Sequence, residues 1–333
     1  MVYVYKKTTG GRNYYYLRVS ERKGKKVISK DVAYLGNSID EVKKGLAALS
    51  QHKDSIRKAY KTIHHFLESN YYLEKVLAMK LKKDVFLMEK LSPVEACKLH
   101  YTSVFKHQNE ISKNEILKNF VIEFSFNTTS IEGNTITLDE AKNLLQEGLT
   151  PKDKTLREIY DLQNTEKVFF KIYGSNEEIT HDFIIKLHSG LMENIDVRRG
   201  GYRTSDVHVI KASFDATPAP YVKADMEILL GWYKKNEGKL HPLVLATIFH
   251  HKFEKIHPFM DGNGRTGRML LNYILIRNNY PPLVIHKKKR KDYLDALRSA
   301  DNSSLTGLKL GDYSDLIMSA ADELTETYWT IFL

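Results

Sequence analysis

The chain has 333 residues, 42% of them hydrophobic, and carries a formal net charge of +10. This describes a soluble globular protein with one large core or two smaller ones, and no apolar run approaches the roughly 18–20 residues of a membrane span. Its one cysteine, Cys97, rules out an internal disulfide and suits a reducing compartment. The opening MVYVYKKTTGG lacks the apolar segment of a secretory leader, so the expected location is the cytoplasm. The positive balance favours nucleic acid, nucleotide phosphates or acidic protein surfaces, without choosing among them.

Residues 1–37 are rich in β-branched and aromatic residues, with turn signals at Thr9-Gly10-Gly11 and Arg22-Lys23-Gly24. They predict a small three-stranded meander. It holds nine basic residues (Lys6, Lys7, Arg12, Arg18, Arg22, Lys23, Lys25, Lys26 and Lys30) against the two acids Glu21 and Asp31. The plainer reading is a solvated lysine face and a tyrosine face packed on helices behind it. Nucleic acid binding through residues 1–37 is the alternative, not the expected use.

Ser38-Ile39-Asp40-Glu41 has a capping-box pattern and opens a helical stretch to about Asn70, carried by Val42, Leu46, Leu49, Ile56, Ile63 and Phe66. Residues 71–91 continue that periodicity. Further helices are predicted from Ser92, over Ile111–Phe126, from Thr137 to near Gly148, over Lys154–Tyr173 and from Thr180 to Met192. Between two of them lies a polar turn, Asn127 to Asn134. There Glu132 faces the unfavourable end of a helix dipole, so a cation from elsewhere in the chain is expected to hold it. Residues 207–222 read as a hairpin or extended flap. Helices then follow over Val222–Asn236, from His241-Pro242, up to Arg277, and over Tyr293–Ala300 and Tyr313–Trp329.

The most concentrated chemistry lies in HPFMDGNGRTGRML, His257 to Leu270. Gly262 and Gly264 let the backbone turn tightly, and a helix start beside them offers free N–H groups to an anion. Two cations, Arg265 and Arg268, would oppose that dipole by about 0.3–1 kcal/mol each unless a polyphosphate sits between them. Asp261 is a hard oxygen ligand suited to magnesium, Asn263 can donate to a phosphate, and His257 can take a proton at neutral pH. Together they point to phosphoryl or nucleotidyl transfer. His250 and His251 fit no usual zinc spacing and read as helix residues.

This stretch matches H-P-F-x-D-G-N-G-R-x-x-R at every specified position, and so resembles the Fic domain signature. The resemblance covers about residues 93–333, leaving 1–37 as a basic β extension and 38–92 as a helical arm or linker. It implies a mainly α fold, a Fic-type helical bundle with a β-hairpin flap, and an enzyme moving AMP from ATP to a protein Ser, Thr or Tyr hydroxyl. His257 would be the base and Phe259 the loop anchor. Asp261 would hold Mg²⁺, while Gly262, Asn263, Gly264, Arg265 and Arg268 would bind the phosphates. Tyr293 and Asp301 or Asn302 would lie near the adenosine, and the flap with Val209, Ile210 and Lys211 would dock the target. Gly264 stands where the related Doc kinases carry lysine, which favours AMP transfer.

Thr128 to Gly133 also fits the family's inhibitory pattern, [S/T]-x-x-x-E-[G/N], in which Glu132 would pair with Arg268. The resemblance leaves open removal of AMP from a modified protein, with Glu132 activating water. It also leaves open self-modification and a homodimer, and it names no target protein. A membrane partner is not expected.

Overall fold

The computed structural model describes residues 2–24, 26–207 and 215–333. The N-terminal strands are β1 (Val2–Thr9), β2 (Arg12–Lys23) and β3 (Lys26–Gly36), antiparallel in the order β1-β2-β3. Gly10 and Gly11, at φ +57° and +74°, form the two-residue turn that brings Thr9 opposite Arg12. Left-handed backbone at both turn positions suits a tight hairpin between twisted strands.

One sheet face buries Val2, Val4, Tyr15, Leu17 and Leu35 against Ile39, Val42, Ile63 and Leu67. These last four come from α1 (Ile39–Ala48) and α3 (Tyr60–Ala78), with the short α2 (Lys53–Lys58) between. Ser38 caps α1 by accepting from the Glu41 amide at 3.3 Å, but the Glu41 carboxylate turns back to the Asn37 amide at 2.6 Å instead of Ser38. Of the tyrosines in the meander, Tyr15 alone is fully buried against the helices. The predicted packed tyrosine face is therefore replaced by one buried ring.

The helical reading of residues 71–91 holds only to Ala78. Beyond it Asp84 accepts from the Phe86 and Leu87 amides at 2.8 and 2.9 Å, closing a turn that buries both side chains without a helix. Apolar spacing reports burial, and a turn satisfied by one carboxylate buries residues as well as a helix does.

The main core is helical: α4 (Leu91–Ser103), α5 (Glu110–Ile131), α6 (Leu138–Glu147), α7 (Leu156–Ile172), α8 (His181–Leu191), α9 (Val222–Asn236), α10 (Pro242–Ile256), α11 (Asn263–Arg277), α12 (Arg290–Ser299) and α13 (Leu310–Ile331). Thr137 with Glu140 and Thr155 with Glu158 form capping boxes at α6 and α7. α10 is buried on every side, Val244, Ala246, Ile248 and Phe249 all lying at 0% exposure. α5 runs five residues past its predicted end, taking Asn127 to Ile131 into the helix. Its polar residues stay helical because they are satisfied there: Thr129 back-bonds within the helix to the Ser125 carbonyl at 2.8 Å, and Asn127 accepts from the distant Lys287 amide at 2.8 Å. Among the described residues no helix is long and apolar enough to cross a membrane.

Candidate active site

The site is built where α10 ends and α11 begins. His257 closes α10 in left-handed backbone, φ +53° and ψ +60°, a conformation that costs a non-glycine residue about 1–2 kcal/mol. Arg203, 4% exposed, holds it there. Its Nε donates to the His257 carbonyl at 2.8 Å, and its amide donates to the Pro258 carbonyl at 2.9 Å. The His257 Nδ1 lies 3.3 Å from the Glu254 carbonyl, which can only accept. Nδ1 therefore carries the proton and Nε2 keeps a lone pair. Burial, helped by the charge of Arg203, lowers the imidazole pKa, so the ring is neutral at neutral pH.

Phe259 is 1% exposed and lies flat on His188, ring centroids 3.6 Å apart and planes 3° from parallel. His188 donates from Nε2 to the Asp261 carbonyl at 3.0 Å. Burial pushes its pKa down to about 4, so it serves as a neutral prop under the loop. Asn263 accepts from the Phe259 amide at 2.9 Å and donates to the Phe259 carbonyl at 2.8 Å. Its amide is thus committed to closing the loop, not to donating to a phosphate as its residue type suggests.

Three ion pairs surround the start of α11. Asp261, its side chain 33% exposed, pairs with Arg157. Burial alone would raise its pKa, but Arg157 and then Arg265 hold it below the usual carboxylate range. Arg265 is only 3% exposed and is paired with the buried Asp161 of α7, with Met192 Sδ 3.4 Å from Nη2. The guanidinium expected on the phosphates is therefore committed to a buried acid that removes its conflict with the helix dipole.

Arg268 donates from Nε to Thr128 Oγ1 at 2.7 Å and from Nη2 to the Thr128 carbonyl at 3.0 Å. The same Nη2 donates to Glu132 Oε1 at 2.7 Å, bridging 136 residues of sequence. Glu132 is the C-cap of α5, and Arg268 supplies the cation its position requires. Desolvation would raise the pKa of Glu132, but Arg268 and then Arg265 outweigh it and keep the carboxylate ionised. A methyl group added at Gly264 would run into Glu132 Oε1, with Arg268 Nη1 3.0 Å away. The Glu132 carboxylate thus rests against the first turn of α11, where no side chain caps the helix. The anion position of the loop is filled by the protein's own carboxylate.

Tyr293 and Asp301 are both buried, and their polar groups face α10. The Tyr293 hydroxyl is 2.7 Å from His250 Nε2, and Asp301 Oδ1 is 3.2 Å from His251 Nε2. Val209, Ile210 and Lys211 lie outside the described residues. Several participants carry no motif signal: Arg157, Asp161, His188 and Glu254. Arg157 and Asp161 share one face of α7, four positions apart, but nothing local ties them to a loop about a hundred residues later. Glu254, one turn before His257, has an Oε1 with no hydrogen-bond partner among the described residues and lies 3.8 Å from His250 Nδ1. Burial, reinforced by Glu132 and opposed by Arg268, pushes its carboxyl up to about 8.

Residues 178–275 match the model of the Fic/DOC family. A protein adenylyltransferase of Caenorhabditis elegans, fic-1, is 29% identical over 209 residues, covering 60% of this chain and 41% of the relative. A protein adenylyltransferase Fic of Aedes aegypti is 32% identical over 198 residues, covering 56% of this chain and 38% of its own. The chain thus spans about two fifths of the length of these relatives. A Fic domain signaling protein from Bacteroides thetaiotaomicron superposes with a TM-score of 0.66 at 25% identity, covering 72% of this chain and 96% of that one. Fic-1 of C. elegans superposes at 0.62 with 22% identity, over 87% and 81% of the two chains. With a helix–loop–helix built around His257 and the Arg268–Glu132 pair beside it, residues 178–275 carry a domain of the Fic/DOC family.

Proposed function

We propose that this protein is an adenylyltransferase that moves AMP from ATP to a Ser, Thr or Tyr hydroxyl of a target protein, and that Glu132 restrains it. The observation that carries this reading is the Glu132 carboxylate lying against Gly264 and Arg268 at the open start of α11. An internal anion there marks the position of a substrate anion and competes with it. The likeness to adenylyltransferases supports ATP as the donor.

In this reading the target hydroxyl oxygen attacks the α-phosphorus while its proton passes to His257 Nε2. The bond to pyrophosphate breaks and a phosphodiester to AMP forms. A positioned base contributes about 10²–10⁴ in rate. The N–H groups at Gly262 and Gly264 and the helix start hold the phosphates, and Arg268 takes the terminal phosphate once Glu132 leaves. Asp261 offers a partly exposed hard carboxylate, which fits a magnesium ion shared with substrate phosphates. Such an ion would neutralise phosphate charge. Arg157 must release Asp261 for it to bind. A lone buried Cys97 suits a cytoplasmic setting.

The test compares wild type, Glu132→Gly and His257→Ala with ATP labelled at the α or the γ position, in lysate and alone. Label from the α position, with a mass increase of one AMP on the acceptor, is expected from wild type and, more strongly, from Glu132→Gly. Transfer from the γ position would replace AMP transfer with kinase activity, and undiminished labelling by His257→Ala would remove the base. Label on the enzyme itself would identify self-modification.

A further inference from the structure

The outward face of the N-terminal sheet gathers two kinds of side chain that the fold itself does not use. Val2, Val4, Tyr15 and Leu17 point inward and are buried, so their strand neighbours point outward. The register sets Tyr3 opposite Arg18, Tyr5 opposite Tyr16, Lys7 opposite Tyr14 and Thr9 opposite Arg12. It then sets Tyr16 opposite Tyr34 and Arg22 opposite Val27. Five tyrosines, at 3, 5, 14, 16 and 34, thus share one face with Lys7, Arg12, Arg18 and Arg22. Asp31 also lies on it, already paired with Arg18 at 2.6 Å.

Two contacts link rings and a cation on this face. The Arg18 guanidinium sits 3.5 Å above the Tyr5 ring, and the Tyr16 and Tyr34 centroids are 5.4 Å apart. Tyr34 is 54% exposed. The helices α1 and α3 pack on the opposite face, where the small core lies.

We propose that this face binds single-stranded nucleic acid, independently of the active site. Unpaired bases offer π-faces to the tyrosines, and stacking of this kind is worth about 1–3 kcal/mol per base. Lys7, Arg12 and Arg22 are exposed and placed to neutralise the phosphates between those bases. A duplex hides its base faces and would leave the rings unused. An acidic protein segment would use the cations but not the rings.

The experiment titrates the full chain with a fluorescein-labelled mixed-sequence single strand of about 12 nucleotides, following anisotropy, with the matching duplex and polyglutamate as competitors. Binding to the single strand is expected, with a log–log salt slope of about −2 to −3, the value for three or four phosphates neutralised at about −0.7 each. Tyr16→Val with Tyr34→Val removes the rings but leaves good strand formers, and should weaken binding about tenfold or more while leaving secondary structure and AMP transfer intact. Arg12→Ala should reduce the salt slope by about 0.7. The proposal is overturned if the single strand fails to bind, if duplex or polyglutamate competes equally well, or if the tyrosine variant binds like wild type.

Discussion

Arg268 sits between two carboxylates with different jobs. Glu132 is ionised and 45% exposed, so it can leave when a better anion arrives, whereas the Glu254 side chain is only 16% exposed and faces His250. If Glu132 restrains the enzyme, Glu132→Gly should raise AMP incorporation by roughly 5- to 150-fold, the range of a coupling of about 1–3 kcal/mol. An unchanged rate from a folded variant would remove Glu132 from regulation. Glu254 makes a different prediction. Its carboxyl holds a proton to about pH 8, while the unfolded chain releases it near 4.5. The folded state therefore binds more protons between those values, and this group's contribution to stability falls as pH rises through that window. Glu254→Gln does not titrate, so its melting temperature should gain on wild type by a few degrees between pH 5 and pH 8. An equal difference at both values would show that Glu254 ionises normally. Arg157 is 54% exposed and occupies the carboxylate proposed for magnesium. Arg157→Ala should lower the magnesium concentration needed for half-maximal activity several-fold, read from a metal titration of initial rates.

At the scale of elements, α10 and α11 meet so closely that their contact depends on a missing side chain. A methyl group at Gly267 would lie 2.7 Å from His250 Nδ1 and 2.5 Å from Glu254 Oε1. Both atoms are themselves buried, on a helix packed from all sides, with little room to yield. Gly267→Ala should cost about 1–3 kcal/mol by overpacking, visible in chemical denaturation, even though alanine is the better helix former. The end of α5 shows the reverse balance. Asn127 and Thr128 favour a turn locally, yet the helix continues because α11 and the segment before α12 supply partners for them. Without those partners the helix would end where its sequence suggests.

Across the whole molecule, α3 joins two hydrophobic cores. Ile63 and Leu67 belong to the sheet's core, and one turn and more later Tyr72 and Val76 enter the main core. Glu74, on the same helix, holds the sheet and α1 to it, accepting from the Tyr15 hydroxyl at 2.6 Å and from the Ile39 amide at 3.3 Å. Glu74→Ala strands a buried tyrosine hydroxyl, a loss of about 1–3 kcal/mol. That loss should fall on the sheet, so hydrogen exchange should quicken in β1, β2 and α1 while α10 and α11 stay protected. Uniform acceleration would mean that the two cores unfold as one.

Composition and local pattern determined much of this protein. Alternation and glycines were enough to mark the meander, and Thr137 followed three residues later by Glu140 marked the start of α6, because turns and caps are interactions within a few residues. The crowding of His257, Asp261, glycines and arginines announced an anion site for the same reason. Even the need of Glu132 for a cation was legible, since a helix dipole is a property of its own segment. Tertiary structure decided the rest. Asp161 claims Arg265, Arg157 claims Asp261, and His188 props the loop, all through contacts across separations that no local periodicity encodes. It also decided that a single tyrosine of the meander would be fully buried against the helices, because two-residue alternation says which side chains share a face but not which face the helices will cover.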